Sequence, residues 1–388
     1  MRRSALWAIA AIAASSCDPG TVSVELLDYV PSTDAYDFRV VDVETLEDVH
    51  HLDGRATTLV GDAELELNYQ TFLLQWKDPG YRVAFAAVKS NGALVPEDFD
   101  SLAMVSIYYQ IERSLLFFED EGLDSDRLVH METYYWPKFT IVEAGGEERI
   151  MEDNAFYLYA TNTDRSFYVF PYAQFGWLPL SMNGGVMTHE FAHAVFDVLV
   201  TEPNRARIDG GGISLSASNF LYGLNEGIAD AFAVARLGDP DFMSHSIEKG
   251  VYSFQCNSAV WKEIVRDASV PMNYAGSYDT AAASTPISQF CPYDIGAFFS
   301  AAVYAAELRS EGAPEGEGAI PSAEARSAFS RALLRALDRL GLALSANFEL
   351  YDLFDLLLEE LPDDASRAAM CSVLEELYAI HYAEITGC

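Results

Sequence analysis

The sequence predicts an α+β protein with a β-rich N-terminal lobe and a mainly helical C-terminal lobe. Three observations lead there. Between residues 21 and 98, short apolar runs at 22–27, 39–43, 63–69 and 81–88 are separated by Gly and Asp, the pattern of strands and turns. From residue 99 to 121, Leu102, Val105, Tyr108, Tyr109, Ile111, Leu115 and Phe118 recur at helical spacing. After the Gly/Glu/Pro-rich linker at 309–321, three helical runs follow, at 322–340, 348–360 and 365–386. Pro362-Asp363-Asp364 marks the stop of one and the cap of the next. The intervening stretch 127–180 reads as aromatic-rich strands. The expected organisation is a leader at 1–17, a β-rich region at 21–98, a β/α lobe at 99–240 and a helical lobe at 241–388.

Composition narrows the function. The chain of 388 residues is 50% hydrophobic, ample for a large core. It carries 59 acidic against 24 basic residues, a net charge of −35. Nucleic-acid backbones need a basic face, so a generic nucleic-acid binder is excluded. The excess of one sign suits a soluble protein that resists aggregation.

The chemistry lies in two segments. The run 187–200 is helix-like and contains His189-Glu190-Phe191-Ala192-His193. Residues i and i+4 share a helix face, so both imidazoles can meet one metal ion. The run is apolar almost all round, which implies burial, and buried histidines need partners. The run 224–233 contains Asn225-Glu226-Gly227-Ile228-Ala229-Asp230, again with two chelating groups at i and i+4. Glu226 completes a His-His-Glu set that leaves a fourth position open, as a catalytic zinc site requires. Asp230 can accept the free ring N–H of a ligating histidine. Gly227 permits a close approach of another element.

These segments resemble those of the gluzincin metallopeptidases, the thermolysin-like group in particular. That group carries H-E-x-x-H on one helix and an N-E-x-x-x-D segment on the next. Here the two are separated by 226 − 193 − 1 = 32 residues, more than in thermolysin itself. The resemblance covers roughly residues 100–305 and implies a zincin-like, two-lobed metallopeptidase with one catalytic Zn2+. It implies that His189, His193 and Glu226 are zinc ligands, that Glu190 is the general base and that Asp230 orients a histidine. Asn154-Ala155-Phe156-Tyr157 is similar to the Asn-Ala-Phe-Trp segment lining the cleft, where an extended peptide pairs with an edge strand. Asn154 and Ala155 are thus expected to bind a peptide or protein substrate.

The family also uses a histidine and a tyrosine to stabilise the oxyanion. The tyrosine position points to Tyr222, only four residues before Glu226. No histidine stands clearly in the later position; Tyr293, just before the run 297–308, can donate there, and His245 is nearer in sequence. The expected activity is therefore a metalloendopeptidase. The competing reading is a catalytically inactive envelope lipoprotein that keeps a structural zinc or a peptide-binding groove. A gluzincin acting on free N-termini is less favoured, because no G-x-M-E-N segment occurs. Family members often bind Ca2+, and the acidic run 119–126 is the candidate here.

Met1-Arg2-Arg3 followed by an apolar run at 5–14 reads as a signal peptide, too short to span a bilayer. Residues 13–17 resemble a bacterial lipobox, with Cys17 as the lipidated residue and Ala14 where leucine is usual. The expectation is export to a bacterial envelope, or secretion, with membrane association only through a lipid on Cys17. The remaining Cys256, Cys291, Cys371 and Cys388 suggest two disulfides, and proximity favours Cys256–Cys291 and Cys371–Cys388 among three pairings. The chain is expected to be monomeric.

Overall fold

The computed structural model describes residues 21–68, 73–128, 130–143, 145–161, 164–172, 177–247, 266–314 and 319–388. The leader at 1–17, with Cys17, and Cys256 lie outside the described residues.

The first strands are β1 (Val22–Val30), β2 (Ala35–Val43), β3 (Leu46–Asp48), β4 (Asp53–Gly54) and β5 (Thr58–Gly61). Next come β6 (Glu64–Asn68), β7 (Leu73–Asp78), β8 (Tyr81–Arg82), β9 (Ala87–Ser90) and β10 (Ala93–Pro96). After helix α1 (Phe99–Asp120) follow β11 (Glu132–Tyr135), β12 (Lys138–Val142), β13 (Glu148–Ile150), β14 (Ala155–Thr161) and β15 (Asp164–Val169). The rest is helical: α2 (Gly184–Phe196), α3 (Glu202–Asp209), α4 (Leu215–Leu237), α5 (Gly276–Ser284) and α6 (Tyr293–Ser310), then α7 (Ala323–Ala343), α8 (Leu350–Glu360) and α9 (Asp364–Leu377). The protein is therefore α+β, sheet-rich in its N-terminal part and helical in its C-terminal part. No helix of the described residues is long and apolar enough to cross a membrane.

The strands form three sheets, ordered β2-β1-β10-β9, β14-β15-β11-β5-β4-β3 (with β8 on β5) and β13-β12-β6-β7. Strands from before and after α1 share sheets: β5 runs parallel to β11, and β6 parallel to β12. In the second sheet β14 pairs with β15 and stands at the edge. Aromatic rings join that sheet to the helices. Phe191 of α2 stacks on Phe118 of α1 at 5.6 Å and on Phe167 of β15 at 5.8 Å, and Phe118 meets Phe232 of α4 at 4.9 Å. Such pairs add packing energy beyond area burial and fix where α2 and α4 lie.

Two sequence expectations need correction. The run 81–88 is not one strand but β8 and β9: Val83 N–H still donates to Leu59 of β5, but Phe85 N–H turns to His50. The last helix stops at Leu377, short of the expected residue 386. The Cys371–Cys388 disulfide explains this, since its Cα atoms are 5.5 Å apart over 17 residues. A helix of that length would hold them roughly 25 Å apart at 1.5 Å per residue. The tail instead folds back, and Asp355 accepts the amides of Thr386 and Gly387 at 2.8 and 2.9 Å. Cys291 is also disulfide-bonded.

Candidate metal centre

Helix α2 starts at Asn183, whose Oδ1 accepts the amides of Gly185 (2.9 Å) and Val186 (3.3 Å), an ordinary N-cap. Only glycine fits next. A Cβ on Gly185 would lie 2.3 Å from Phe242, and one on Gly184 2.5 Å from Arg236. The helix carries His189 and Glu190 into the interior, 3% and 7% exposed. Helix α4 packs against α2 and, through Gly227, against α6: a Cβ on Gly227 would lie 2.4 Å from the Gly296 carbonyl oxygen. That backbone contact places Tyr293, in the first turn of α6, beside Glu226.

The expected ligand atoms converge. His193 Nε2 lies 3.0 Å from His189 Nε2 and 4.0 Å from Glu226 Oε1, and His189 Nε2 lies 3.5 Å from Glu226 Oε2. Four donors about 2.0–2.1 Å from a tetrahedral zinc sit roughly 3.3–3.4 Å from one another; the two histidine nitrogens come near that spacing, and Glu226 approaches each histidine with a different carboxylate oxygen. Both imidazoles are oriented through their other nitrogen. His189 Nδ1 is 3.0 Å from Asp230 Oδ1, and His193 Nδ1 is 3.0 Å from Asn225 Oδ1. The two Nε2 atoms face each other, with Arg266 Nη2 3.5 Å from that of His189, and are the nitrogens a metal would meet. Burial, then the neighbouring His189, lowers the His193 imidazole to about 4, so it is neutral at pH 7 and able to ligate.

Glu190 sits beside the two histidines, its carboxylate within 4.8 Å of their ligating nitrogens. The Tyr157 amide donates to its Oε2 at 2.8 Å. Burial raises this carboxyl to about 7; His189 opposes the rise and Glu226 adds to it. A carboxylate poised near neutrality can take a proton and return it.

Arg266 is a site residue that sequence reading missed. It is 6% exposed, its Nε donates to Asp230 Oδ2 at 2.7 Å, and its Nη2 also bonds Asp230 Oδ1 and lies 3.4 Å from Glu226 Oε2. Burial pushes the Asp230 carboxyl upward, but Arg266 and then His189 outweigh it and hold it below the usual carboxylate range. The guanidinium stands 5.0 Å from the centre of the Tyr293 ring. Arg266 is followed by no motif, and its loop conformation (φ +56°) carries no helical or strand period. No signal in the sequence marks it.

These groups line a cavity of about 310 Å³, together with Asn154, Ala155, Tyr157, Tyr222, Met243 and Ile247. The edge strand β14 forms one wall. Asn154 C=O accepts from Phe170, so the amides of Ala155 and Tyr157 turn away from β15, one to Asn154 Oδ1 at 3.0 Å and the other to Glu190. A larger cavity, about 860 Å³, shares no lining residue with this one; Arg55, Arg82 and His130 face it.

Tyr222, Tyr293 and Arg266 line the cavity together with the carboxamides of Asn154 and Asn225, and among the described residues no third histidine does. His245 is a correction: it turns from the cavity and pairs with Asp239 at 2.9 Å. The calcium candidate at 119–126 is another. Glu119 pairs with Arg55 and Ser125, Glu121 with Arg331 at 3.0 Å, and Asp124 caps a turn through the Asp126 amide. Those carboxylates are engaged separately and do not gather round a point.

No family model matches the chain, and no curated protein does. Among solved structures it is similar to the precursor of protealysin, a metalloproteinase from Serratia proteamaculans, at 14% identity and a TM-score of 0.43, over 85% of this chain and 91% of that one. A likeness at that level assigns no role to any residue.

Proposed function

We propose that this chain is a zinc-dependent metallopeptidase that hydrolyses peptide bonds, with His189, His193 and Glu226 as ligands and Glu190 as general base. The observation that carries the reading is the convergence of those three ligand groups beside a buried carboxylate of near-neutral pKa, at the foot of an edge strand. Zinc, when bound, supplies Lewis-acid polarisation of a carbonyl and lowers the pKa of water. Glu190 takes the proton of the attacking water and delivers it to the leaving amine. Its Tyr157 hydrogen bond holds the carboxylate in place between the two transfers. An extended peptide adds to β14 through the outward backbone of Ala155 and the Asn154 carboxamide. Arg266, Tyr293 and Tyr222 offer donors for the oxygen that gains charge. Asp230 holds His189 and Arg266 in position at once.

Export fits this reading. It rests on the leader-like residues 1–17 and is supported by the Cys371–Cys388 bridge, of a kind that persists in oxidising compartments. The test is to purify residues 18–388, count bound zinc and profile cleavage of a peptide library with and without a chelator. Zinc-dependent cleavage is expected. Bound zinc with no cleavage of any peptide would replace this reading by the inactive groove.

A further inference from the structure

A second set of metal-ligating side chains meets on the far side of the α2 N-terminus. His245, at the end of the short turn Phe242–His245, directs Nε2 to Asp239 Oδ2 at 2.9 Å and to Asp34 Oδ1 at 3.9 Å. The three donor atoms lie within 4.8 Å of one another. The two separations from His245, 2.9 and 3.9 Å, fall close to the 3.0–4.0 Å found among His189, His193 and Glu226. The residues come from distant parts of the chain: Asp34 from the β1–β2 turn, Asp239 from just beyond the C-terminus of α4.

Each donor is supported. The Tyr29 hydroxyl donates to Asp34 Oδ1 at 2.9 Å, and the Asp241 amide donates to Asp239 Oδ1 at 3.0 Å. The imidazole packs against the rings of Tyr29 and Tyr36, 5.7 and 5.5 Å away. Asp239 is buried, whereas the Asp34 side chain is 77% exposed and leaves a path for an ion and its waters. One imidazole N–H can serve only one of the two carboxylates that face it. A divalent cation serves both and balances their charge. One imidazole and two carboxylates suit zinc or a neighbouring transition-metal ion.

We propose that Asp34, Asp239 and His245 form a second divalent-metal site that clamps the β1–β2 hairpin to the segment following α4, beside the start of α2. The same hairpin carries Tyr36, whose hydroxyl accepts the Gly184 amide at 3.1 Å and lies 3.2 Å from Asn183 Oδ1 at the start of α2. An ion at Asp34 therefore seats the side chain that completes the α2 cap. The site stands on its own residues and does not depend on the peptidase reading.

The test is a zinc count on the full chain, stripped with chelator, dialysed against Zn2+ alone and measured by elemental analysis. Wild type should hold two equivalents. Asp34→Asn and His245→Gln should each hold one, and lose the zinc-induced rise in Tm that the second equivalent produces. Asparagine is among the residues best suited to the φ of +48° at position 34, so Asp34→Asn keeps the turn. His193→Ala, combined with His245→Gln, should hold none. A zinc count in both Asp34→Asn and His245→Gln equal to that of wild type would overturn the second site, and loss of zinc only with His193→Ala would place all the metal at the first.

Discussion

Tyr157 grips helix α2 at two points: its amide donates to Glu190 Oε2 at 2.8 Å and its hydroxyl to Asp197 Oδ2 at 3.0 Å. One residue of the edge strand thus positions the proposed base and also ties the strand to the end of the helix. Asp197 is further held by Arg165 and Arg205 at 3.2 and 2.5 Å. Tyr157→Phe keeps the amide and loses only the hydroxyl. Urea unfolding should show a loss of about 1.5–3 kcal/mol, the net contribution of a hydrogen bond to a charged group, with little change in kcat.

Glu190→Gln keeps the shape of the side chain and removes its basicity. Zinc content should stay at the wild-type level, while kcat on a cleavable peptide falls by about 10²–10⁴-fold or more. Wild-type turnover in that variant would end the proposed mechanism.

Asp230→Asn acts on two partners. Zinc affinity, measured by competition with a chelating dye, should weaken about 10–100-fold because His189 loses its orienting acceptor. Arg266 loses its nearest counter-charge and keeps the more distant Glu226 at 3.4 Å, so the zinc-free protein should lose about 1.5–3 kcal/mol in urea unfolding. Unchanged stability of the zinc-free form would mean that Arg266 is not held as described.

Gly227→Ala forces α4 away from α6, because the new Cβ would lie 2.4 Å from the Gly296 carbonyl oxygen. Overpacking of this kind costs about 1–3 kcal/mol, and it should also disturb Tyr293 and raise KM. Gly145→Ala, with open space around it, is the control and should stay within about 0.5 kcal/mol of wild type.

Glu307, buried on α6, makes stability fall as pH rises. Burial lifts its carboxyl to about 8, above the ordinary 4.5. Between those values the folded chain keeps a proton that the unfolded chain releases. The unfolded state then binds fewer protons, so stability from this group declines by up to about 1.4 kcal/mol per pH unit and levels off above about pH 8. Thermal melts of Glu307→Gln should show a shallower fall in Tm between pH 5 and 8 than wild type. Parallel profiles would show that Glu307 does not titrate in that window.

The helical period made His189, His193, Glu226 and Asp230 legible, because residues four apart share a face whatever the helix packs against. The apolar flanks announced burial, and Gly227 announced a close neighbour without naming Gly296. A likeness to the Asn-Ala-Phe-Trp segment picked out Asn154 and Ala155, and the ladder to β15 put them at an open edge. Where two local readings conflicted, topology decided. A helix to residue 386 and a Cys371–Cys388 bridge cannot coexist, and the bridge prevailed.

Arg266 and His245 show the limit. Arg266 reaches Asp230 from 36 residues away through a loop, and His245 meets Asp34 across 211 positions. Neither lies on a period, and a single charged residue in a loop has no local partner to reveal its role. The order of residues along the chain determined what each helix and strand presents on its faces, because backbone geometry repeats over three or four residues. Which faces meet, and hence which lone side chains join the His189-Glu190-Phe191-Ala192-His193 helix, was decided only by packing. Close-packed contacts such as Gly227 on Gly296 and Phe191 on Phe118 depend on the whole fold at once.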